Sequence, residues 1–216
     1  MRLVKHVHSC VALEHSGRRL VVDPGSFGSA EVLDGAHAVL VTHRHPDHLD
    51  ADALRAALAR DPELTVRTPA EVADALGVPG QVHAVDHGDV FDAAGFAVQV
   101  FGRDHAPIHP EVTTPANAGF LVTAGGTSVF HPGDALTVPQ VPVDVLLVPV
   151  FAPWSRLAEV LDWIREVRPD RAIAIHDAGL NDGVGQQMVT GFLGDRGPGT
   201  GVPFVRVPPG TVVPLP

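Results

Sequence analysis

The stretch of residues 43–48, with the sequence HRHPDH, directly follows the apolar run 38–42 and constrains the fold more than any other part of the chain. The apolar run has the composition of a buried β-strand, and side chains on a strand repeat their direction every two residues. If the extended backbone continues, His43 and His45 point to the same side and converge on one ion. The proline then ends the extended path, so the aspartate and histidine that close the motif lie on a turn and can face a second ion.

The composition fits a compact protein and excludes disulfides and cysteine-based metal sites. The chain has 216 residues, 45% of them apolar, which is enough to bury a core without a metal or disulfide. Its one cysteine is Cys10, so an internal disulfide and a C-x-x-C metal site are excluded. No apolar run reaches the roughly eighteen residues of a membrane span, and residues 1–8 have the pattern of a charged strand. We therefore expect a cytoplasmic protein of a single domain, residues 1–216.

The charge balance disfavours a long nucleic acid as a partner. Acidic residues outnumber basic ones 25 to 15, the formal net charge is −10, and the one lysine is Lys5. A duplex would be repelled and would find no Lys/Arg-rich run to hold its phosphates. We expect a small-molecule substrate instead, and no membrane partner. The sequence leaves the oligomeric state open, with a homo-oligomer among the alternatives.

Alternating strand and helix patterns predict a mixed α/β fold. Two or three short strands are expected before residue 23, and a helix is expected over residues 49–60, behind the histidine motif. Nearly all-apolar segments at 143–150 and Arg171–Ile175 have the pattern of strands buried on both faces, with a helix at 155–167 between them. Two predicted hairpins lie between the first helix and these buried segments. The whole pattern predicts two mixed β-sheets packed face to face with helices outside.

Further ionisable side chains follow the ends of other predicted strands. They are His105 or His109 in the proline-rich loop 102–116, Asp134 after a hairpin, and His176 after the last buried strand. A set of imidazoles and carboxylates without thiolate suits zinc, manganese or iron, and it suits a site that activates water.

The order of these residues resembles that of the metallo-β-lactamase superfamily. The H-x-H-x-D-H motif, a later lone histidine, Gly133-Asp134 and His176 follow one another as in that superfamily, over roughly residues 3–180. The chain is most similar to the ascorbate-6-phosphate lactonase-like branch of small members, on account of His8-Ser9 and Val22-Asp23-Pro24. The resemblance implies a four-layer αββα sandwich and two divalent metal ions at one edge, with zinc favoured and manganese or iron as alternatives.

The resemblance also implies roles for residues of this chain. The implied metal ligands are His43, His45 and His105 for the first ion, Asp47, His48 and His176 for the second, and Asp134 as a bridge. The small-residue turn before His105 favours it over His109 as the third ligand. Asp47 would also be the catalytic residue that orients the attacking hydroxide. The side chains expected to support ligands or contact substrate are His8, His109, His131 and Trp154.

These expectations favour metal-dependent hydrolysis of a small ester, lactone or phosphodiester. A hydroxide between two ions would attack the carbonyl carbon or phosphorus, and the positive centre would attract an anionic or carbonyl-bearing molecule. Hydrolysis of β-lactams is not expected, because the cysteine and lysine of class B lactamases have no counterpart here. Two other hypotheses stay open: an iron-binding redox or sensing protein on the same fold, and a metal-binding scaffold without turnover.

Overall fold

The computed structural model describes residues 1–194 and 196–215, which form two seven-stranded sheets and four α-helices. The strands of the first sheet are β1 (Arg2–Lys5), β2 (Val11–His15), β3 (Arg18–Val22), β4 (Ala38–Leu40), β5 (Thr65–Thr68), β6 (Val82–Ala84) and β14 (Thr211–Pro214). Those of the second are β7 (Val90–Ala93), β8 (Phe96–Phe101), β9 (Gly119–Ala124), β10 (Thr127–His131), β11 (Val145–Pro149), β12 (Arg171–Ile175) and β13 (Phe204–Val205). The helices are α1 (Ala51–Arg60), α2 (Ala70–Leu76), α3 (Leu157–Val167) and α4 (Val184–Leu193).

Each sheet combines antiparallel hairpins with parallel strands. The first sheet has the order β14-β1-β2-β3-β4-β5-β6, antiparallel as far as β3 and parallel from β3 to β6. The second has the order β13-β12-β11-β10-β9-β8-β7, parallel from β13 to β10 and antiparallel from there to β7. The predicted pair of mixed sheets is confirmed. Within the described residues, no helix has the length and apolar character needed to cross a membrane.

Three separate apolar clusters show how the layers pack. The first contains buried residues of both sheets, such as Leu13, Val122 and Leu147, and fills the space between the sheets. The second joins the first sheet to α1 and α2, and the third joins the second sheet to α3 and α4. Four layers with three cores between them form the αββα sandwich that the sequence predicts, and that prediction is confirmed.

The central strands are continuously apolar because they bury both faces. In β11, Val145 and Leu147 face the other sheet, whereas Leu146 and Val148 face the helices. Every residue of this strand is buried. Period-two alternation is therefore absent from the sequence of β11, as expected for a strand covered on both sides.

The strand before the histidine motif is shorter than predicted. It ends at Leu40, because the Thr42 N–H donates to the Asp23 carboxylate at 2.7 Å and not to a neighbouring strand. The backbone of His43 and His45 is therefore irregular, and strand geometry does not explain why these side chains converge. At Thr42, a hydrogen bond to the Asp23 side chain replaces the pairing with a neighbouring strand.

Candidate metal centre

The predicted ligands lie at one edge of the sandwich, after the carboxyl ends of parallel strands of both sheets and of β8, which is antiparallel to its neighbours but runs in the same direction as β10. His43 comes shortly after β4, His105 shortly after β8 and Asp134 shortly after β10, while His176 follows β12 directly. Loops at the carboxyl ends of parallel strands meet at one edge of a sheet, which is where open α/β sheets place their sites. Residues that are distant in the sequence therefore come within reach of one another.

Two groups of side chains have ligand atoms that all lie within 4.8 Å of one another. The first group consists of His43, His45, His105 and Asp134. The second group consists of His8, Asp47, His48 and His176. In each group three members are buried and one is half-buried, namely His45 and Asp47. The centre therefore meets solvent at these two side chains.

Asp134 is a member of the first group that also contacts the second. Its Oδ1 is 3.1 Å from His48 Nε2, in the second group. Its Oδ2 is 3.4 Å from His105 Nε2 in the first group and 3.2 Å from His176 Nε2 in the second. A carboxylate in contact with both groups has the position that a bridging ligand requires.

Hydrogen bonds assign the tautomers of three imidazoles in these groups. Each donates its Nδ1–H to a protein oxygen 2.6 Å away: His48 to Asp23, His105 to the Ala106 carbonyl, and His176 to the Phe151 carbonyl. A neutral imidazole that donates from Nδ1 keeps its lone pair at Nε2, where a metal can bind. Among the described residues, His105 Nε2, His176 Nε2 and Asp134 Oδ1 are buried, and their close contacts do not have the geometry of hydrogen bonds. Such orphaned atoms fit a site that holds cations.

His43 and His45 bring two more nitrogen atoms together. The Thr42 hydroxyl donates its one hydrogen to Asp23 at 2.7 Å, so it accepts a hydrogen bond from His43 Nδ1 at 3.0 Å. This leaves the lone pair of His43 at Nε2, which lies 3.1 Å from His45 Nδ1. The pair therefore offers two nitrogen ligands at one point, as the sequence motif predicts.

Three residues at the centre have backbone conformations that are unusual for non-glycine residues. The φ angles of His8, Asp23 and His176 are 59°, 52° and 53°, in the left-handed region. This conformation costs about 1–3 kcal/mol per residue and persists only where the surrounding contacts enforce it. All three side chains are buried and hydrogen-bonded to the centre or its supports.

In the absence of a cation, the buried groups of the centre shift one another's pKa. Burial opposes charge on His48, but the carboxylates of Asp134 and Asp23 raise its pKa well above its ordinary value. Burial also opposes charge on His176, but contacts with Asp134 and Asp47 raise its pKa to about 9. Despite burial, the neighbouring imidazoles hold the pKa of both Asp134 and Asp47 well below the ordinary range. Cation binding would displace these protons, so metal uptake and proton release are coupled.

The structure separates the two histidines of loop 102–116. His105 is buried, with 3% of its surface exposed, and belongs to the first group. His109 is exposed, accepts a hydrogen bond from the Glu111 N–H at 3.2 Å, and belongs to neither group. The fold therefore brings His105, and not His109, to the other predicted ligands.

Trp154 and His131 support the centre in different ways. The Trp154 indole N–H donates to Asp134 Oδ2 at 2.9 Å, so this side chain contacts a predicted ligand. His131 uses both ring nitrogens in the protein: Nε2 donates to the Ser9 carbonyl at 2.8 Å, and Nδ1 accepts the Gly133 N–H at 3.1 Å. His131 thereby holds the turn that leads into Asp134.

Three buried residues to which the sequence assigns no role hold the ligands in place: Asp23, Thr42 and Asn117. The Asp23 carboxylate accepts hydrogen bonds from His48 and Thr42. Asn117 Oδ1 accepts the Asp134 N–H at 3.0 Å. Each of the three is at most 1% exposed. Asp23 belongs to the Val22-Asp23-Pro24 motif on which the resemblance rests, although the motif gives it no role, whereas Asn117 has no local signal.

A cavity of about 750 Å³ opens beside the first group. His105 and Trp154 form the wall that it shares with the centre, with ring centroids 6.2 Å apart. The apolar part of the lining consists of Ala106, Pro107, Ile108, Ala135, Leu136 and Pro153. The charged part consists of Arg103, Asp104, Arg156 and Glu159. The centre therefore adjoins a space large enough for a small molecule.

Comparisons with known proteins cover most of the chain. A family model described as "Beta-lactamase superfamily domain" matches residues 2–176, which include every member of both ligand groups. Protein Rv0786c of Mycobacterium tuberculosis is 40% identical over 181 residues, 82% of this chain and 84% of the relative. A UPF0173 metal-dependent hydrolase of Carboxydothermus hydrogenoformans is 27% identical over 225 residues, 96% of this chain and 97% of the relative. The metallo hydrolase Igni18 from Ignicoccus hospitalis has the same fold, with a TM-score of 0.72, 19% identity, and coverage of 98% of this chain and 97% of that chain.

Proposed function

The chain belongs to the metallo-β-lactamase superfamily, and we propose that it is a metal-dependent hydrolase of small molecules. The observation that carries the proposal is the position of Asp134, whose two carboxylate oxygens contact both ligand groups. Cations at the two groups would share this carboxylate, as in hydrolytic sites with two metals. The name of the UPF0173 relative agrees with this activity. The ascorbate-6-phosphate lactonase-like branch stays a prediction.

We propose that the centre holds two divalent cations, with zinc favoured and manganese or iron as alternatives. The first group supplies three imidazoles and the shared carboxylate, and the second supplies imidazoles and Asp47. The donors are nitrogen and oxygen atoms throughout, because the one cysteine, Cys10, is buried and in neither group. Imidazole with carboxylate is a donor set that zinc, manganese and iron accept.

Asp47 is the residue that we propose to orient the attacking water. Divalent cations, when bound, would polarise the substrate oxygen and lower the pKa of water from about 15.7 toward about 7. The Asp47 side chain is 21% exposed, against 5% for Asp134, so it faces the side from which water and substrate arrive. Burial opposes its ionisation, but contacts with His176 and His8 hold its pKa well below the ordinary range. Asp47 therefore acts as a hydrogen-bond acceptor for water and does not store a proton.

The charge balance of the cavity beside the first group favours an uncharged ester or lactone over a phosphodiester. Its volume lies within the range of small-molecule sites, and its wall combines apolar side chains with polar and charged ones. Arg103 pairs with Asp86 at 2.7 Å and Arg156 with Glu159 at 3.3 Å, so both arginine charges are balanced. Asp104 adds a negative charge to the lining. A strongly anionic substrate would therefore find no excess positive charge outside the metal centre.

An assay across metals and substrates tests the proposed function. Protein loaded with zinc, manganese or iron(II) is offered p-nitrophenyl esters, lactones and bis(p-nitrophenyl) phosphate. We expect hydrolysis of an ester or lactone that depends on the metal and falls at least about 100-fold in Asp134→Ala, because the shared ligand is lost. No turnover of the whole panel by fully loaded protein would contradict the proposal. It would favour a redox or sensing protein, or a scaffold.

A further inference from the structure

We infer that His8 positions Asp47 by donating a hydrogen bond to it, and that His8 is not a metal ligand of the second group. The inference rests on the proposed function, because it concerns the residues that hold one of the two cations. By distance alone His8 qualifies as a ligand, since its nitrogen lies within 4.8 Å of the other ligand atoms of its group. The tautomer of its ring excludes that role.

The His8 ring is held in the tautomer that carries its hydrogen on Nε2. Nδ1 accepts a hydrogen bond from the Ala178 N–H at 3.3 Å, so the lone pair is on that nitrogen. A neutral imidazole has one such lone pair, and Nε2 then bears the hydrogen and cannot bind a cation. Nε2 lies 3.0 Å from Asp47 Oδ2, so it donates to that carboxylate.

The other two imidazoles of the second group have the opposite arrangement. Nδ1 of His48 donates to Asp23 Oδ2, and Nδ1 of His176 donates to the Phe151 carbonyl. Once a cation has displaced the proton from Nε2, both rings therefore present an Nε2 lone pair to the centre. The second group thus contains two imidazoles with the tautomer of a ligand and one, His8, with the tautomer of a donor.

Buried contacts fix both the His8 backbone and the partner of its ring. Lys5 is fully buried, and its Nζ donates to the His8 carbonyl at 2.7 Å and to Asp177 Oδ1 at 3.1 Å. Asp177 also accepts a hydrogen bond from Arg206 Nε at 2.7 Å. Since Asp177 immediately precedes Ala178, the ion pairs that hold Asp177 also aim the Ala178 N–H at the His8 ring. The fold, and not solvent, therefore sets the tautomer.

This assignment removes His8 from the distance-defined second group and keeps the ligand set that the resemblance implies for the second cation. Without His8, the protein ligands of that cation are Asp47, His48 and His176, with Asp134 shared. Catalytic metal sites keep a position open for water or substrate, which a further histidine would occupy. The His8 hydrogen bond instead takes one lone pair of Asp47 Oδ2 and fixes the orientation of that carboxylate.

A direct test is the protonation of the histidine nitrogens by NMR. Protein with ¹⁵N-labelled histidine is examined by long-range ¹H–¹⁵N correlation with and without zinc, and His8 is assigned from the signals that His8→Gln removes. We expect a hydrogen on Nε2 of His8 in both samples, and none on Nε2 of His48 or His176 with zinc. An unprotonated Nε2 of His8 in the zinc sample would overturn the inference.

Zinc binding by variants supplies a second readout. His8→Gln keeps an N–H donor, so we expect it to retain the zinc content of the unmodified protein and to lower zinc affinity less than about tenfold. His8→Ala removes the donor and should lower zinc affinity about 10–100-fold. The matched control is His37→Gln, because His37 Nδ1 also accepts a backbone N–H, that of Arg19 at 3.2 Å. His37 precedes β4, whereas His43 follows it, so His37 lies at the other end of the strand from the centre. His37→Gln should bind zinc normally.

The outcomes separate this inference from the proposed function. Loss of one zinc equivalent in His8→Gln would make His8 a ligand and overturn the inference, whether or not the protein is a hydrolase. Protein that binds zinc and has the expected His8 tautomer but hydrolyses nothing would contradict the proposed function and support the role of His8.

Discussion

The Asp23 carboxylate accepts a hydrogen bond from His48 Nδ1 at 2.6 Å, and both side chains are fully buried. Because this bond occupies Nδ1, it leaves Nε2 as the atom of His48 that can bind a metal once its proton is displaced. The same carboxylate accepts hydrogen bonds from the backbone N–H and the hydroxyl of Thr42. Asp23 therefore orients a predicted ligand and ends strand β4 at the histidine motif.

Replacing Asp23 by asparagine should weaken metal binding. Asp23→Asn removes the charge that holds His48, so we expect metal affinity to fall about 10–100-fold, measured by competition with a chelating dye. Asp52→Asn is the control, because Asp52 is an aspartate on α1 whose side chain is 98% exposed. Equal affinity of the two variants would show that Asp23 does not act on the centre.

Gly133 precedes Asp134 in a turn that has no room for a side chain. Its φ is +64°, and a Cβ there would lie 2.7 Å from Thr42 Cβ and would clash with Asn117 Oδ1. Gly133→Ala should lower the free energy of unfolding by about 2–5 kcal/mol, from strain and overpacking together, measured by urea denaturation. Gly126→Ala separates the two causes, because Gly126 has a φ of +82° with open space around it in the described structure. Its expected loss is about 1–2 kcal/mol.

The Trp154 indole acts on the centre through its N–H. Trp154→Phe keeps a ring at the cavity wall but removes the hydrogen bond to Asp134 Oδ2, so we expect kcat to fall about tenfold. Trp163→Phe is the matched control, because it removes an equally long hydrogen bond, 2.9 Å to the Thr137 carbonyl, within the third core. It should lower thermal stability and leave kcat unchanged. A normal kcat in Trp154→Phe would show that Trp154 contributes only packing and does not act on the centre.

The two histidines of loop 102–116 should differ in their effect on metal content. His105→Ala removes a buried member of the first group, so we expect the loss of about one zinc equivalent per chain. His109→Ala changes an exposed side chain outside both groups and should keep the full content. Inductively coupled plasma mass spectrometry after dialysis measures both. Loss of zinc in His109→Ala with full content in His105→Ala would make His109 the ligand and contradict the assignment of His105.

The sequence predicts the layers and the order of the ligands because both leave local patterns. The apolar runs of β11 and β12 mark strands buried on both faces, and the histidine motif and Asp134 follow strand patterns directly. These signals need no knowledge of distant parts of the chain. They suffice for two mixed sheets with helices outside, whereas the edge at which the centre lies follows from the resemblance to the superfamily.

The sequence predicts supporting roles for His8 and His131, but it does not predict the partners of the supporting contacts, because these contacts join residues far apart in the chain. Asn117 accepts the Asp134 N–H across two strands, and Lys5 reaches Asp177 from the other end of the chain. Strand β14 returns to pair with β1, a neighbour that its short sequence does not identify. Such pairings depend on the folded topology, so one sequence contains no local sign of them.

The zinc content of the purified chain tests the central claim, a centre of two cations that share Asp134, most directly. We predict about two equivalents per chain after dialysis against zinc and then against metal-free buffer, and fewer than two in Asp134→Ala, because both groups contact that carboxylate. One equivalent or none in the unmodified protein, or an undiminished two in Asp134→Ala, would contradict the account.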